Sequence, residues 1–123
     1  MADDLYGRLN QDIYVVRGDT KTQRITVKDS AGSAIDVTGY SAKLSVNTQD
    51  EPTDETNQLF EITGVLTTPA SGIIDFPLSA ANAKQVPDEY YYDIQIVTDA
   101  GVVCTVAAGR WVVGSDITDP NLP

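Results

Sequence analysis

This sequence predicts an all-β sandwich of seven or eight short strands, on three observations. Apolar residues recur at every second position in short runs. Clusters of turn-forming residues separate the runs. Only one short segment, near residues 79–85, has the composition of a helical turn.

The runs follow one another at regular intervals. Residues 12–17 open the series with the apolar stretch Ile13, Tyr14, Val15 and Val16. In 22–28, Ile25 and Val27 face one way while Arg24, Thr26 and Lys28 face the other. Residues 41–47 set Ala42, Leu44 and Val46 against Ser41, Lys43 and Ser45. The run 58–66 carries Phe60 and Ile62, with Gly64 expected as a bulge. In 72–78, Ile74, Phe76 and Leu78 share a face, and 88–97 places Tyr90, Tyr92, Ile94 and Ile96 inward. The last run, 102–113, is interrupted at Ala107-Ala108-Gly109, where the side-chain parity is expected to switch. Turn chemistry fills the gaps: Arg17-Gly18-Asp19-Thr20, Asp29-Ser30-Ala31-Gly32-Ser33, Ser71-Gly72 and Thr98-Asp99-Ala100-Gly101. The second and fourth of these read as hairpin loops. Ser79-Ala80-Ala81-Asn82-Ala83-Lys84-Gln85 begins with an N-cap residue and stops before Pro87, so it reads as a short helical crossing between sheets. The expected organisation is an N-terminal arm (1–11), a sandwich domain (12–113) and a C-terminal tail (114–123).

Charge and composition narrow the function classes. Eighteen acidic residues against eight basic ones give a net charge of −10. A surface this negative repels phosphate backbones and anionic lipid, which argues against nucleic acid and membrane partners. The start, Met1-Ala2-Asp3-Asp4, lacks the basic and apolar regions of a secretory leader and predicts a chain made in the cytoplasm. The single cysteine, Cys104, lies in an apolar run and reads as core packing.

Catalytic chemistry finds little to work with. Histidine is absent, which removes the commonest general base and the commonest zinc ligand. The glycines are scattered as turn and bulge residues and form no phosphate loop. Asp50, Glu51, Asp54 and Glu55 cluster in the apolar-free segment 48–57, where no hydrophobic pocket exists to raise a carboxyl pKa. Their spacing does not match the twelve-residue calcium loop, so the segment reads as a solvated acidic loop. The tripeptide Arg17-Gly18-Asp19 is a turn at a strand end. The expectation is a protein without catalytic, metal or cofactor sites.

The order of several short motifs resembles the immunoglobulin-like modules of tailed-phage virions, such as the N-terminal module of baseplate upper proteins and related tail or head-associated proteins. These motifs are Arg17-Gly18-Asp19-Thr20, Asp36-Val37-Thr38-Gly39-Tyr40, Ser71-Gly72-Ile73-Ile74-Asp75-Phe76, Val86-Pro87-Asp88-Glu89-Tyr90-Tyr91-Tyr92-Asp93-Ile94 and Gly109-Arg110-Trp111-Val112-Val113. The resemblance implies an immunoglobulin-like sandwich of antiparallel strands. It also implies a structural role in a virion, with other virion proteins as partners in a homo- or hetero-oligomer. The antibody-type signature is missing, since there is one cysteine and Trp111 falls in the last run. Tyr90 or Tyr92 is placed to act as a tyrosine corner. A second function class stays open, a stand-alone carbohydrate-binding or bacterial surface module, although such a protein normally needs export.

The ends differ from the middle. They lack sustained alternation yet carry Leu5, Tyr6 and Leu9 on one side and Ile117 and Leu122 on the other. These five are the expected contacts to neighbouring subunits; the alternative is that they extend a sheet edge of their own domain. The face assignment itself is directly testable. Ile94→Asp is expected to prevent folding, because an unpaired buried carboxylate costs several kcal/mol, and a thermal melt of the variant checks it.

Overall fold

Alternating runs bury their apolar faces most economically when two sheets close over a shared core, and that is the arrangement found. The computed structural model describes residues 9–48 and 58–115. In chain order the elements are β1 (Leu9–Asn10), β2 (Ile13–Val16), β3 (Lys21–Thr26), β4 (Ser41–Asn47), β5 (Gln58–Thr63), β6 (Val65–Thr68), β7 (Ile73–Leu78), the helical turn α1 (Ala80–Ala83), β8 (Asp88–Val97) and β9 (Val103–Gly114). The larger sheet runs β1/β2–β9–β8–β4–β5, and the smaller runs β3–β7–β6. The chain changes sheet between β2 and β3, β3 and β4, β5 and β6, and β7 and β8. This order is that of an immunoglobulin-type sandwich.

Every residue expected in the core from alternation is buried: Ile25, Val27, Leu44, Val46, Phe60, Ile74, Phe76, Tyr92, Ile94, Ile96 and Val106. The expected helical crossing is α1, which links the two sheets. Its N-cap is Ser79, whose Oγ accepts from the Asn82 amide at 3.1 Å. The hairpin at 98–102 closes through Gly101 N–H to Thr98 O at 2.9 Å. The loop after β3 closes through Gly32 N–H to Asp29 O at 3.0 Å, but only a single bridge, Lys28–Ala34, follows it.

Three features differ from the sequence reading. The run 58–66 is two strands, not one bulged strand, and Gly64 is where the chain leaves one sheet for the other. A Cβ there would lie 2.8 Å from Ile74 Cγ2 and 3.1 Å from Ala42 Cβ, so the crossing needs a residue without a side chain. Next, not all strands are antiparallel. β1 and β2 run parallel to β9, with Leu9 opposite Ala107 and Ile13 opposite Trp111. No tight turn joins them to β9, so nothing constrains that pair to the antiparallel sense of a hairpin. Finally, the strand Leu9–Asn10 falls inside the segment expected as an arm, and β9 runs on to Gly114.

The parity switch expected near Ala107 is a bulge. Ile94 pairs with Ala107 and Gln95 with Thr105, which leaves Val106 as the extra residue. Cys104 and Val106 therefore face the core before it, and Ala107, Trp111 and Val113 face the core after it.

Gly109 sets how the N-terminal strands lie on β9. A Cβ at this position would collide with the Gln11 carbonyl oxygen, so the Gln11–Asp12 backbone occupies the space a side chain would fill. Around it, Gln11 N–H donates to Ala108 O at 3.1 Å and Arg110 N–H donates to Asp12 Oδ1 at 3.0 Å. Gly109→Ala is expected to lower stability by about 1–3 kcal/mol. It should also speed hydrogen exchange at the Gln11 and Arg110 amides. Chemical denaturation and amide exchange check both outcomes.

Candidate interaction surface

Each polar side chain with a perturbed pKa has a structural cause. On the outer face of the smaller sheet, Arg24 grips Asp75 with two bonds, Nε to Oδ1 at 2.8 Å and Nη2 to Oδ2 at 3.0 Å. Thr67 Oγ1 donates to the same carboxylate at 2.7 Å. The Arg24 and Thr67 bonds hold Asp75 below the usual carboxylate range. Asp36 is likewise lowered, by the hydroxyl and then the amide of Thr38, as the cap of a turn. Among the described residues no group of three or more acidic or cysteine side chains is arranged to hold a metal ion. Asp50, Glu51, Asp54 and Glu55 lie outside the described residues.

The two core tyrosines divide their work. Tyr90, at the start of β8, donates its hydroxyl to Val86 O at 2.6 Å, and this is the tyrosine corner. Tyr92 instead donates to the backbone carbonyl of Gln11, passing over Gly109, its cross-strand partner on β9. The hydroxyl thus ties the N-terminal strands to the centre of the larger sheet. Beside it, Trp111 packs edge-on against Phe60 and Tyr92, with ring centroids 5.8 and 6.2 Å away. The Trp111 indole N–H is buried and finds no acceptor among the described residues.

What is left exposed is more informative for binding. On the outer face of the larger sheet, Tyr14 is 67% exposed and Val16 is 45% exposed. Tyr14 lies opposite Val112, Val112 opposite Glu89, and Tyr91 opposite Arg110. Arg110 Nη1 donates to Glu89 Oε1 at 3.0 Å across the same face. Tyrosine and arginine are among the residue types enriched at binding hot spots. Sequence reasoning missed Tyr14 and Val16 because Ile13–Val16 is apolar at every position. Alternation cannot then say which face is wet, and only the pairing with β9 decides it.

The residues expected at the interface are placed as follows. Leu9 has its backbone paired with Ala107 of the same chain. Leu5, Tyr6, Ile117 and Leu122 lie outside the described residues. The Arg17-Gly18-Asp19 tripeptide is a tight turn, with Asp19 N–H donating to Val16 O at 3.0 Å and Gly18 N–H to Ala83 O at 3.1 Å.

The Tyr92 bond has a pH consequence. Burial first, and the Asp12 carboxylate second, push its hydroxyl from 10.0 up to about 12. A folded-state value above the unfolded one means the contribution is complete below pH 10.0 and is lost as pH rises towards 12. Tyr90 shifts in the same direction, through burial and then Asp88. Tyr92→Phe is therefore expected to lessen the alkaline fall in stability without abolishing it. It should also lose about 1–2 kcal/mol at neutral pH, since the Gln11 carbonyl loses its donor. Denaturant titrations across the alkaline range check both parts.

Comparison with known proteins finds similarity among solved structures. No protein-family model matches the chain, and no curated protein sequence matches it. Among solved structures, the filamin domain of Lin-41 is similar over 81% of each chain, at 12% identity and a TM-score of 0.43.

Proposed function

We propose that this chain is a non-enzymatic structural subunit of a tailed-phage virion, binding neighbouring proteins of the tail, baseplate or head. The observation that carries the binding role is the exposed Tyr14–Val16 strip beside Val112 and the Arg110–Glu89 pair. Exposed aromatic and aliphatic side chains set together on a rigid sheet mark contact surfaces. The order of motifs from Arg17 to Val113, which resembles the virion modules, supports the particle as the place of that contact. The charge of −10 supports protein rather than nucleic acid as the partner. On this reading the chain needs no cofactor and does its work by occupying a fixed position in an assembly.

Particles from the phage genome that encodes the chain provide the test. Density-gradient purification and quantitative mass spectrometry are expected to find the chain at a fixed copy number per particle. Tyr14→Glu should remain folded, because the side chain is exposed, and should be depleted from particles. Absence of the parent chain from particles would overturn the virion assignment. Incorporation of the variant at the parent level would overturn the role of the sheet face.

A further inference from the structure

The two sheets present their open edges differently. β6 is four residues long, has an irregular register between Leu66 and Thr68, and is followed by Pro69. Along β3 the cations Lys21 and Arg24 stand guard. At β2, Lys21 Nζ reaches across from β3 and donates to Tyr14 O at 3.0 Å. Short length, irregular register, proline and lysine are the usual means of blocking strand addition. The outer edge of β5 is less protected: its one irregularity is a bulge at Leu59 near its start, and Phe60–Thr63 pair with β4 in unbroken register. It is six residues, Gln-Leu-Phe-Glu-Ile-Thr, with no proline, no cation and β-favouring side chains, and among the described residues no strand pairs with its far side.

The ladder shows which groups that edge offers. Gly64 N–H donates to Ala42 O at 2.8 Å, so position 64 is hydrogen-bonded to β4. Paired positions alternate in an antiparallel ladder, so Ile62 and Phe60, opposite Leu44 and Val46, also bond to β4. The N–H and C=O groups of Glu61 and Thr63 therefore point away from the sheet. Glu61 is the only charge on the strand, and its neighbours Lys43, at 3.8 Å, and Ser45, at 3.4 Å, both come from β4. The incoming side of Glu61 has no cation.

We propose that the outer edge of β5 receives an extended segment of a partner protein. It adds as a further strand, with a lysine or arginine set beside Glu61 and β-branched residues alternating with it. Charge complementarity selects this occupant over a second copy. Two chains of net charge −10 repel, and β5 has no cation to offer another β5. This surface is at the opposite edge of the larger sheet from Tyr14, so it stands apart from the contact proposed above.

The test uses a capped peptide of alternating valine and lysine, with a valine–glutamate peptide as control, and reads amide exchange and chemical shifts by NMR. The lysine peptide is expected to protect the Glu61 and Thr63 amides and to shift β5 resonances selectively. Glu61→Pro removes an outward N–H without touching a β4 bond, so it should keep the parent fold and abolish that protection. Should this variant unfold, Glu61→Lys carries the test; it should move the preference towards the glutamate peptide by about five-fold. Tyr14→Glu should leave peptide protection unchanged, which separates this edge from the particle contact. Unchanged exchange at Glu61 and Thr63 with the lysine peptide would overturn the proposal. So would protection of the same amides in the protein alone as its concentration rises, because a second copy would then be the occupant.

Discussion

The register of β9 is the constraint on which the rest of the sandwich depends. This strand is flanked by β8 on one side and by β1 and β2 on the other, so its errors would propagate to both. A strict alternation from Cys104 onward would turn Trp111 and Val113 to solvent. The extra residue at Val106 prevents that by flipping the parity midway, so the largest side chain of the core arrives between Phe60 and Tyr92. In antibody domains a tryptophan from another strand packs on a disulfide at the centre. Here an aromatic trio fills that role without a covalent link, and the lone Cys104 is simply one more buried apolar group.

Gly109 completes the arrangement by what it lacks. Its missing side chain lets the Gln11 carbonyl descend towards the core, where Tyr92 can reach it. The same movement brings Asp12 onto the Arg110 amide. Two short strands, one of only two residues, are thereby fixed by side-chain and backbone bonds that compensate for a short ladder. The tyrosine corner works in the same manner at the sheet crossing after β7, where Tyr90 holds the chain between α1 and β8.

Much of this was legible in the sequence, and the illegible parts share a cause. Clean alternation identified the buried faces of β3, β4, β7 and β8, because each has one wet and one dry face. Ser79 and the alanines after it marked the crossing helix, since capping is a local matter. Gly64 misled because a strand that changes sheet keeps its period of two, and the glycine that permits the change also resembles a bulge. The parallel pairing of β2 was hidden because it depends on a partner almost a hundred residues away. The same long-range pairing decides that Tyr14 and Val16 face outward, so the exposed strip was not visible in a stretch that is apolar throughout.

The position of β9 in the chain has a consequence for biosynthesis. Of the described strands, β1 and β2 leave the ribosome first, and their sheet partner among them is β9, which emerges last. Until then Ile13 and Val15 have no sheet to join, and β8 has only β4 beside it. The larger sheet therefore cannot close progressively as the chain lengthens. It closes in one late event dominated by contacts between distant parts of the chain, which is the topology associated with slow folding. During that interval the apolar stretch Ile13–Val16 stays unpaired, and the chain's net charge of −10 opposes the association of such chains.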